Sequence, residues 1–293
     1  MAIINAATLA AIAQSFQIIF NEAFTGAPSQ WNQVAMLITS SDRVEHYPWL
    51  GDVPAMREWI GDRVLKDLAA FDYTILNRSW EATIEVDRDD IDDDRIGLYR
   101  PKIQALGDAA KRHRDVLIFA LLAAGFATAC FDGQYFFDSD HPVAGASVSN
   151  TGGGAGTAWY LLDLSRPLKP LILQVRKEPE FVSQDDPRSE NAFMRKKFRF
   201  GVDDRKAAGF GLWQLAYGSK QTLNATYYAA ARTAMMSFKN DNGEPLGIMP
   251  THLVVPPSLE SAGRTLLVNE RNDAGASNPW YKSAELVVVP WLA

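Results

Sequence analysis

The densest run of reactive side chains is VDRDDIDDD, Val86 to Asp94, with six aspartates in the eight positions 87–94. Carboxylates at that density suit a hard cation such as calcium, which takes oxygen ligands. The run lacks the central glycine and closing glutamate of an EF-hand loop, however. It also stands just upstream of a long helical segment, whose N-terminal dipole favours negative charge. Helix capping and solvated charge are therefore the preferred reading of Asp92 to Asp94.

A second candidate is DGQYFFDSDHPVAG, where Asp138, Asp140 and His141 can be drawn as a metal or acid–base cluster. One histidine beside two aspartates falls short of a three-ligand set fixed by spacing. Pro142 pushes His141 toward an extended backbone, and Asp138-Ser139-Asp140 suits a turn. A metal-dependent hydrolase using these residues, or the 87–94 aspartates, is the enzymatic alternative. The following ASVSNTGGGAGT lacks the Lys-Ser/Thr of a phosphate loop and reads as a flexible surface loop.

Arg195, Lys196, Lys197 and Arg199 interleave with Phe193, Phe198 and Phe200, an arrangement that suits single-stranded nucleic acid. In a chain of net charge −6, one basic strand reads better as an exposed face or subunit contact. The single cysteine, Cys130, lies in an apolar run, where it packs as a small hydrophobe; no disulfide framework exists, which suggests a reducing compartment. The chain contains no G-x-S-x-G, H-E-x-x-H, Walker motif or paired-cysteine cluster. His46, His113, His141 and His252 sit in unrelated contexts. No cofactor and no metal is expected.

The elements that position these residues are organised around Ile96 to Phe137. Ile103, Leu106, Ala110, His113 and Leu117 recur three or four apart, and Val116 to Phe131 is apolar on nearly every side. A helix from Pro101 to Phe131, with proline in its first turn and Asp132-Gly133 as its stop, would be about 45 Å long. The apolar part is about 16 residues, short of the roughly 20 that span a bilayer, so no membrane is expected.

Upstream, Leu9, Ile12, Phe16, Ile19 and Ala23 form one helical stripe that needs a surface to cover, either its own domain or a neighbouring subunit, with Asn5 or Thr8 as cap. Trp31 to Met56 is irregular and rich in aromatics, among them Trp49. Trp80, Ala82, Ile84 and Val86 then share one face of a strand, preceded by Tyr73 and Ile75 and interrupted at Asn77-Arg78. Such a two-stranded excursion is marginal alone. Beyond residue 159 strands dominate, followed by a helix capped by Thr222 or Asn224, packing through Tyr227, Tyr228, Ala231, Met235 and Phe238. A final strand–helix–strand follows. With 293 residues, 47% apolar and 22% charged, the chain can bury a sizeable core as one large domain or two modest ones.

The order of parts resembles the major head subunit family of Mu-like phages and prophages. The matching passages are NRSWEATIEVDRDDIDDDRIGLY, LLAAGFATACFDGQYFFDSDHPV, FRFGVDDRKAAGFGLWQLAYGS and LNATYYAAARTAMMSFKNDNGEPLGIMPTHLVVPPSLE. The resemblance implies an α+β, HK97-like major capsid fold. Its parts would be an N-terminal arm over 1–28, a connection over 29–50 and an extended β-hairpin loop within 51–87. A peripheral domain over 88–137 would carry the spine helix 101–131, and 138–293 would supply the remaining peripheral strands and the axial domain.

The function implied is structural and non-enzymatic: a virion shell assembled in the bacterial cytoplasm from hexamers and pentamers around double-stranded DNA, held by proximity rather than sequence. Implied partners are further copies, a scaffold and maturation protease during assembly, a portal and a decoration protein. Inter-subunit contacts are expected at Leu9, Ile12, Phe16, Ile19, Trp49, Trp59, Lys66, Tyr73, Asn77, Trp80, Arg195 and Lys197. Related capsids crosslink a lysine to an asparagine, but Lys66 and Asn77 have no identified acidic catalyst or matched acceptor, and crosslinking is not expected. An encapsulin-like nanocompartment is the alternative shell. The uncovered stripe further implies that deleting residues 1–25 would impair assembly more than folding.

Overall fold

The computed structural model of the chain describes residues 5–51, 73–93, 95–271 and 275–293. Trp59, Lys66 and most of the expected extended loop lie outside them.

In order, the elements are α1 (Ala6–Gly26), α2 (Trp31–Val34), β1 (Ala35–Thr39), β2 (Val44–His46), β3 (Thr74–Leu76), β4 (Arg78–Asp87), α3 (Arg88–Asp92) and α4 (Arg100–Ala124). Next come β5 (His141–Val143), β6 (Ala146–Val148), β7 (Thr151–Gly154), β8 (Trp159–Leu162), β9 (Leu171–Gln184), α5 (Glu190–Arg195) and β10 (Lys197–Phe210). The chain closes with β11 (Ala216–Lys220), α6 (Ala225–Met236), β12 (His252–Val255), α7 (Glu260–Leu267) and β13 (Glu285–Val288). One sheet runs β1-β9-β10-β4 and another β13-β12-β8-β11-β7; β2-β3 and β5-β6 are separate pairs.

The long helix is α4, with Pro101 in its first turn, but it stops at Ala124 rather than Phe131. Its 25 residues make it about 37 Å long. The apolar run continues because the chain folds back into the core. The Phe137 amide donates to the Gly125 carbonyl at 3.0 Å, and a Cβ on Gly125 would lie 2.8 Å from the Phe137 ring. Cys130 and Phe131 are buried in the turn that follows, not in a helix.

The opening stripe is covered by its own chain, contrary to the sequence expectation. Leu9, Ile12, Phe16 and Phe20 are buried with Ile103, Leu106 and Ala110 of α4 and with Phe198 and Phe200 of β10. Phe16 meets Phe200 edge-on at 5.1 Å. Gly107 makes the approach possible, since a Cβ there would stand 2.6 Å from the Phe20 carbonyl oxygen. Asn5 is the cap, accepting from the Thr8 amide at 2.8 Å.

Trp80, Ala82, Ile84 and Val86 do share the less exposed face of β4. The strand is no free-standing hairpin arm, however, because it pairs with β10 from Arg78↔Lys206 to Asp87↔Lys197. Asp87, Asp89 and Asp90 serve the start of α3 rather than α4, and Asp94 lies outside the described residues. Asp87 accepts from the Asp89 amide at 3.0 Å, and Asp90 accepts from the Tyr99 hydroxyl at 2.6 Å. ASVSNTGGGAGT is also ordered differently, with Thr151–Gly154 forming β7 parallel to β11. Its glycines permit close approach; a Cβ on Gly154 would fall 2.5 Å from the Lys220 backbone. Asn224 caps α6, accepting from the Tyr227 amide at 3.0 Å; Tyr228, Ala231 and Met235 are buried, whereas Tyr227 is 39% exposed.

Two apolar clusters result, one around α1, β4 and the first half of α4, the other around Ile118, Phe119, Leu122 and the five-stranded sheet. A polar belt separates them. On α4 it comprises His113, Arg114 and Asp115; on the sheet it comprises Asp204, Lys206 and Glu178. Asp115 Oδ1 accepts from the Ser29 hydroxyl at 3.0 Å, the Gln30 amide at 2.9 Å and the Trp31 amide at 2.7 Å. It thereby fixes where the chain leaves α1 and enters α2.

Because α1 completes an internal core, Phe16→Ala should cost about 3–5 kcal/mol, seen as a lower urea midpoint of the unassembled subunit. Deleting residues 1–26 should abolish cooperative unfolding as well as assembly. Burial, aided by the Lys206 charge, holds the His113 imidazole below its usual range, with Asp204 opposing. Below about pH 6.5 the unfolded chain therefore takes up a proton that the fold resists. Stability should be full above that pH and decline toward pH 5, and His113→Gln should flatten the decline in a Tm-against-pH series.

Candidate assembly surfaces

Among the described residues, β9 and β10 form a long hairpin, paired from Leu171↔Phe210 outward to Gln184↔Arg199. Its tip carries α5, which starts where the Ser189 hydroxyl accepts from the Ala192 amide at 3.3 Å and ends at Lys196 with φ 55°. The helix buries Asn191 and Ala192 inward, and its geometry leaves Phe193 83% and Met194 70% exposed. The tip is anchored: the Arg88 amide donates to the Lys196 carbonyl at 2.9 Å, and Lys196 Nζ lies 3.6 Å from Asp89. An adjacent pair of large apolar side chains on an anchored tip is suited to burial by another molecule. Reading SENAFMRKK as strand hid this pair; the signal was Ser189 followed by Glu190, a helix start.

Arg195 is exposed on the same tip. Lys197 is half-buried and, with Arg199, holds Glu85 at 3.0 and 3.1 Å. Those hydrogen bonds keep the Glu85 carboxyl below its usual range. The two cations are thus paired across β4 and β10, which accounts for the basic–aromatic alternation without nucleic acid: Phe198 and Phe200 face inward, Lys197 and Arg199 outward.

The remaining expected contacts divide. Leu9, Ile12 and Phe16 belong to the internal core and are corrected accordingly, because α4 and β10 already cover them. Asn77 is also corrected: it is buried, and its amide donates to the Ser40 hydroxyl at 2.8 Å and the Asp42 carbonyl at 2.7 Å. Ile19, Trp49, Tyr73 and Trp80 are half-buried. Tyr73 accepts the Phe210 amide at 2.9 Å. Trp80 meets His113 edge-on at 4.5 Å and donates to the Lys206 carbonyl at 3.2 Å.

The drawn cluster of Asp138, Asp140 and His141 does not assemble. Asp138 accepts from the Tyr135 amide at 3.1 Å and the Ser139 amide at 2.8 Å, and Asp140 is exposed. His141 is wholly buried and turns to Asp132 instead, Nδ1 to Oδ2 at 2.6 Å. Cys130 Sγ stands 3.1 Å from Asp132 Oδ1. Burial alone would raise the Asp132 carboxyl, but hydrogen bonds with His141 and Cys130 outweigh it and hold the group below its usual range. Burial pushes the Cys130 thiol well up. Asp132 was missed because Asp132-Gly133 reads as a helix stop.

Among the described residues no helix is long and apolar enough to cross a membrane. A family profile described as Mu-like prophage major head subunit gpT matches residues 9–292. The chain is 44% identical over 263 residues to the Mu-like prophage FluMu major head subunit of Haemophilus influenzae, covering 86% of this chain and 85% of that one. It is 39% identical over 305 residues to the major capsid protein of Escherichia phage Mu, covering 99% and 100%. Among solved structures, the procapsid of bacteriophage JBD30 is similar at TM-score 0.87 and 44% identity, over 98% of this chain and 100% of that one. The bacteriophage JBD30 capsid is similar at 0.80 and 35%, over 100% of both. The mixed architecture is thus the HK97-like α+β fold expected from the sequence. The chain belongs to the Mu-like prophage major head subunit family and is a structural component of a phage capsid.

Proposed function

We propose that the chain assembles with copies of itself into the hexamers and pentamers of an icosahedral head that encloses double-stranded DNA, and that it has no catalytic role. The observation that carries this reading is the full-length likeness to the JBD30 procapsid chain at TM-score 0.87. A chain that closes its own cores yet leaves Phe193 and Met194 bare at an anchored tip has a surface to spend on association. Arg195, Ile19, Trp49, Tyr73 and Trp80 are kept as secondary candidates for the same contacts. The net charge of −6 suits an enclosing wall that does not grip a phosphate backbone. A separately encoded scaffold, maturation protease and portal complete the proposed assembly. A decoration protein belongs with them; the JBD30 capsid has been solved decorated with minor capsid protein trimers.

Negative-stain microscopy and sedimentation of the purified chain, with scaffold supplied, should show capsid-sized particles. Persistent monomers under every assembly condition would refute the proposal. Replacing Phe193 and Met194 together by Asp should leave the subunit's Tm within about 4 °C, the scale of a 1 kcal/mol change, while removing the particles. Normal particles from that double variant would exclude the tip as a contact.

A further inference from the structure

The turn after α4 and the start of β5 bring together three side chains that shell assembly does not require: Cys130, Asp132 and His141. Their ligand atoms all lie within 4.8 Å of one another. Sulfur, imidazole nitrogen and carboxylate oxygen form the donor set that zinc takes.

The orientation of His141 is the decisive feature. Asn150 Nδ2 donates to the carbonyls of Phe136, Trp213 and Ala216 at 2.8, 3.4 and 3.3 Å. This fixes which end of the amide is oxygen. Asn150 Oδ1 accepts the Asp138 amide at 2.9 Å and faces His141 Nε2 at 3.2 Å. Nε2 therefore carries hydrogen, and Nδ1, which shares a proton with Asp132 at 2.6 Å, is the ring nitrogen that a metal would take once that proton is displaced. A ring nitrogen pinned as a donor by an outer partner is how metal-bound histidines are held. Trp213 locks the ring further, stacked on it at 4.0 Å and 11°.

The spacing fits the same reading. Tetrahedral zinc at bond lengths of about 2.0–2.3 Å sets ligand atoms about 3.3–3.6 Å apart. The pairs here, 2.6 Å for His–Asp and 3.1 Å for Cys–Asp, are shorter by about 0.7 and about 0.4 Å, as hydrogen-bonded partners should be, and all three ligand atoms lie within 4.8 Å of one another. One divalent cation would replace two protons, the thiol proton and the one between Nδ1 and Oδ2. The cluster is electrically neutral either way. Gly133, at φ +87°, gives the turn the tightness to aim Cys130 and Asp132 the same way.

We propose that Cys130, Asp132 and His141 form a buried structural zinc site, oriented by Asn150, that ties the turn after α4 to the five-stranded sheet. Water or the second Asp132 oxygen would complete the coordination. Phe131, Phe136 and Trp213 are all buried around it, which suits a clamp rather than a catalyst open to substrate.

The test is a cobalt titration of the chelator-stripped, full-length chain. The expected result is one equivalent of cobalt bound, with a thiolate-to-cobalt band in the near ultraviolet that zinc abolishes. Because Cys130 is the only cysteine, that band can arise nowhere else. Zinc should also raise Tm, and Cys130→Ala should lose both band and rise while keeping its metal-free Tm within about 4 °C. Asp140→Ala should keep both. Absence of the band at stoichiometric cobalt, or a zinc-dependent rise in Tm that survives Cys130→Ala, would overturn the proposal.

Discussion

The contact of α4 with α1 at Gly107 is the constraint from which the rest of the subunit follows. With a Cβ at that position the two helices would have to part, and the aromatic side chains of α1 would lose their cover. Helix α4 can then pass from this small core into the larger one only by crossing a region where neither is apolar. Arg114 reaches Glu178 there, and Lys206 reaches Asp204. The Lys206–Asp204 pair is buried on both sides, so it contributes little beyond what apolar replacements would give, but losing one partner strands a charge; Arg114 is buried while its partner Glu178 is exposed. Arg114 Nε and Asp204 Oδ1 already lack partners. The belt therefore acts as a joint of lower cohesion between two well-packed blocks. Beside it lies a cleft of about 220 Å³ lined by Trp80, Ala109, Ala110, His113 and Lys206.

Much of this was legible from residue order. The two-residue period at Trp80 to Val86 gave the correct face of β4, Asn224 was a readable cap, and the closing strand–helix–strand formed as expected. The end of α4 was not legible. An apolar run looks the same whether it continues a helix or turns back beneath one, and only the meeting of Phe137 with Gly125 distinguishes them. Long-range partners were equally hidden. Nothing in the spacing ties Asp132 to His141, or Asp115 to the amides that follow α1, because those bonds exist only once distant segments meet.

The opening stripe gives a sharper lesson. Its apolar side was read as surface awaiting another copy, yet α4 and β10 supply that cover within the chain. The family assignment thus does not rest on unsatisfied greasy surface; it rests on likeness over nearly the full length. Among the described residues, the most exposed large apolar side chains are Phe193 and Met194, where α5 turns the long hairpin, while others such as Leu98 and Met249 stand singly elsewhere. A subunit built this way can fold before it meets its neighbours.

Among the described residues, strand β4 forms one rim of the four-stranded sheet, with β10 on one side and no strand on the other. The outward-pointing backbone groups of an edge strand invite indiscriminate strand addition, a danger for a protein that must be made in many copies and crowded together. Ser79, Glu81, Thr83 and Glu85 alternate on its exposed face, with Glu85 gripped by Lys197 and Arg199, so that face is polar and charged throughout. A charged and polar edge of this kind disfavours pairing with the edge of a second sheet.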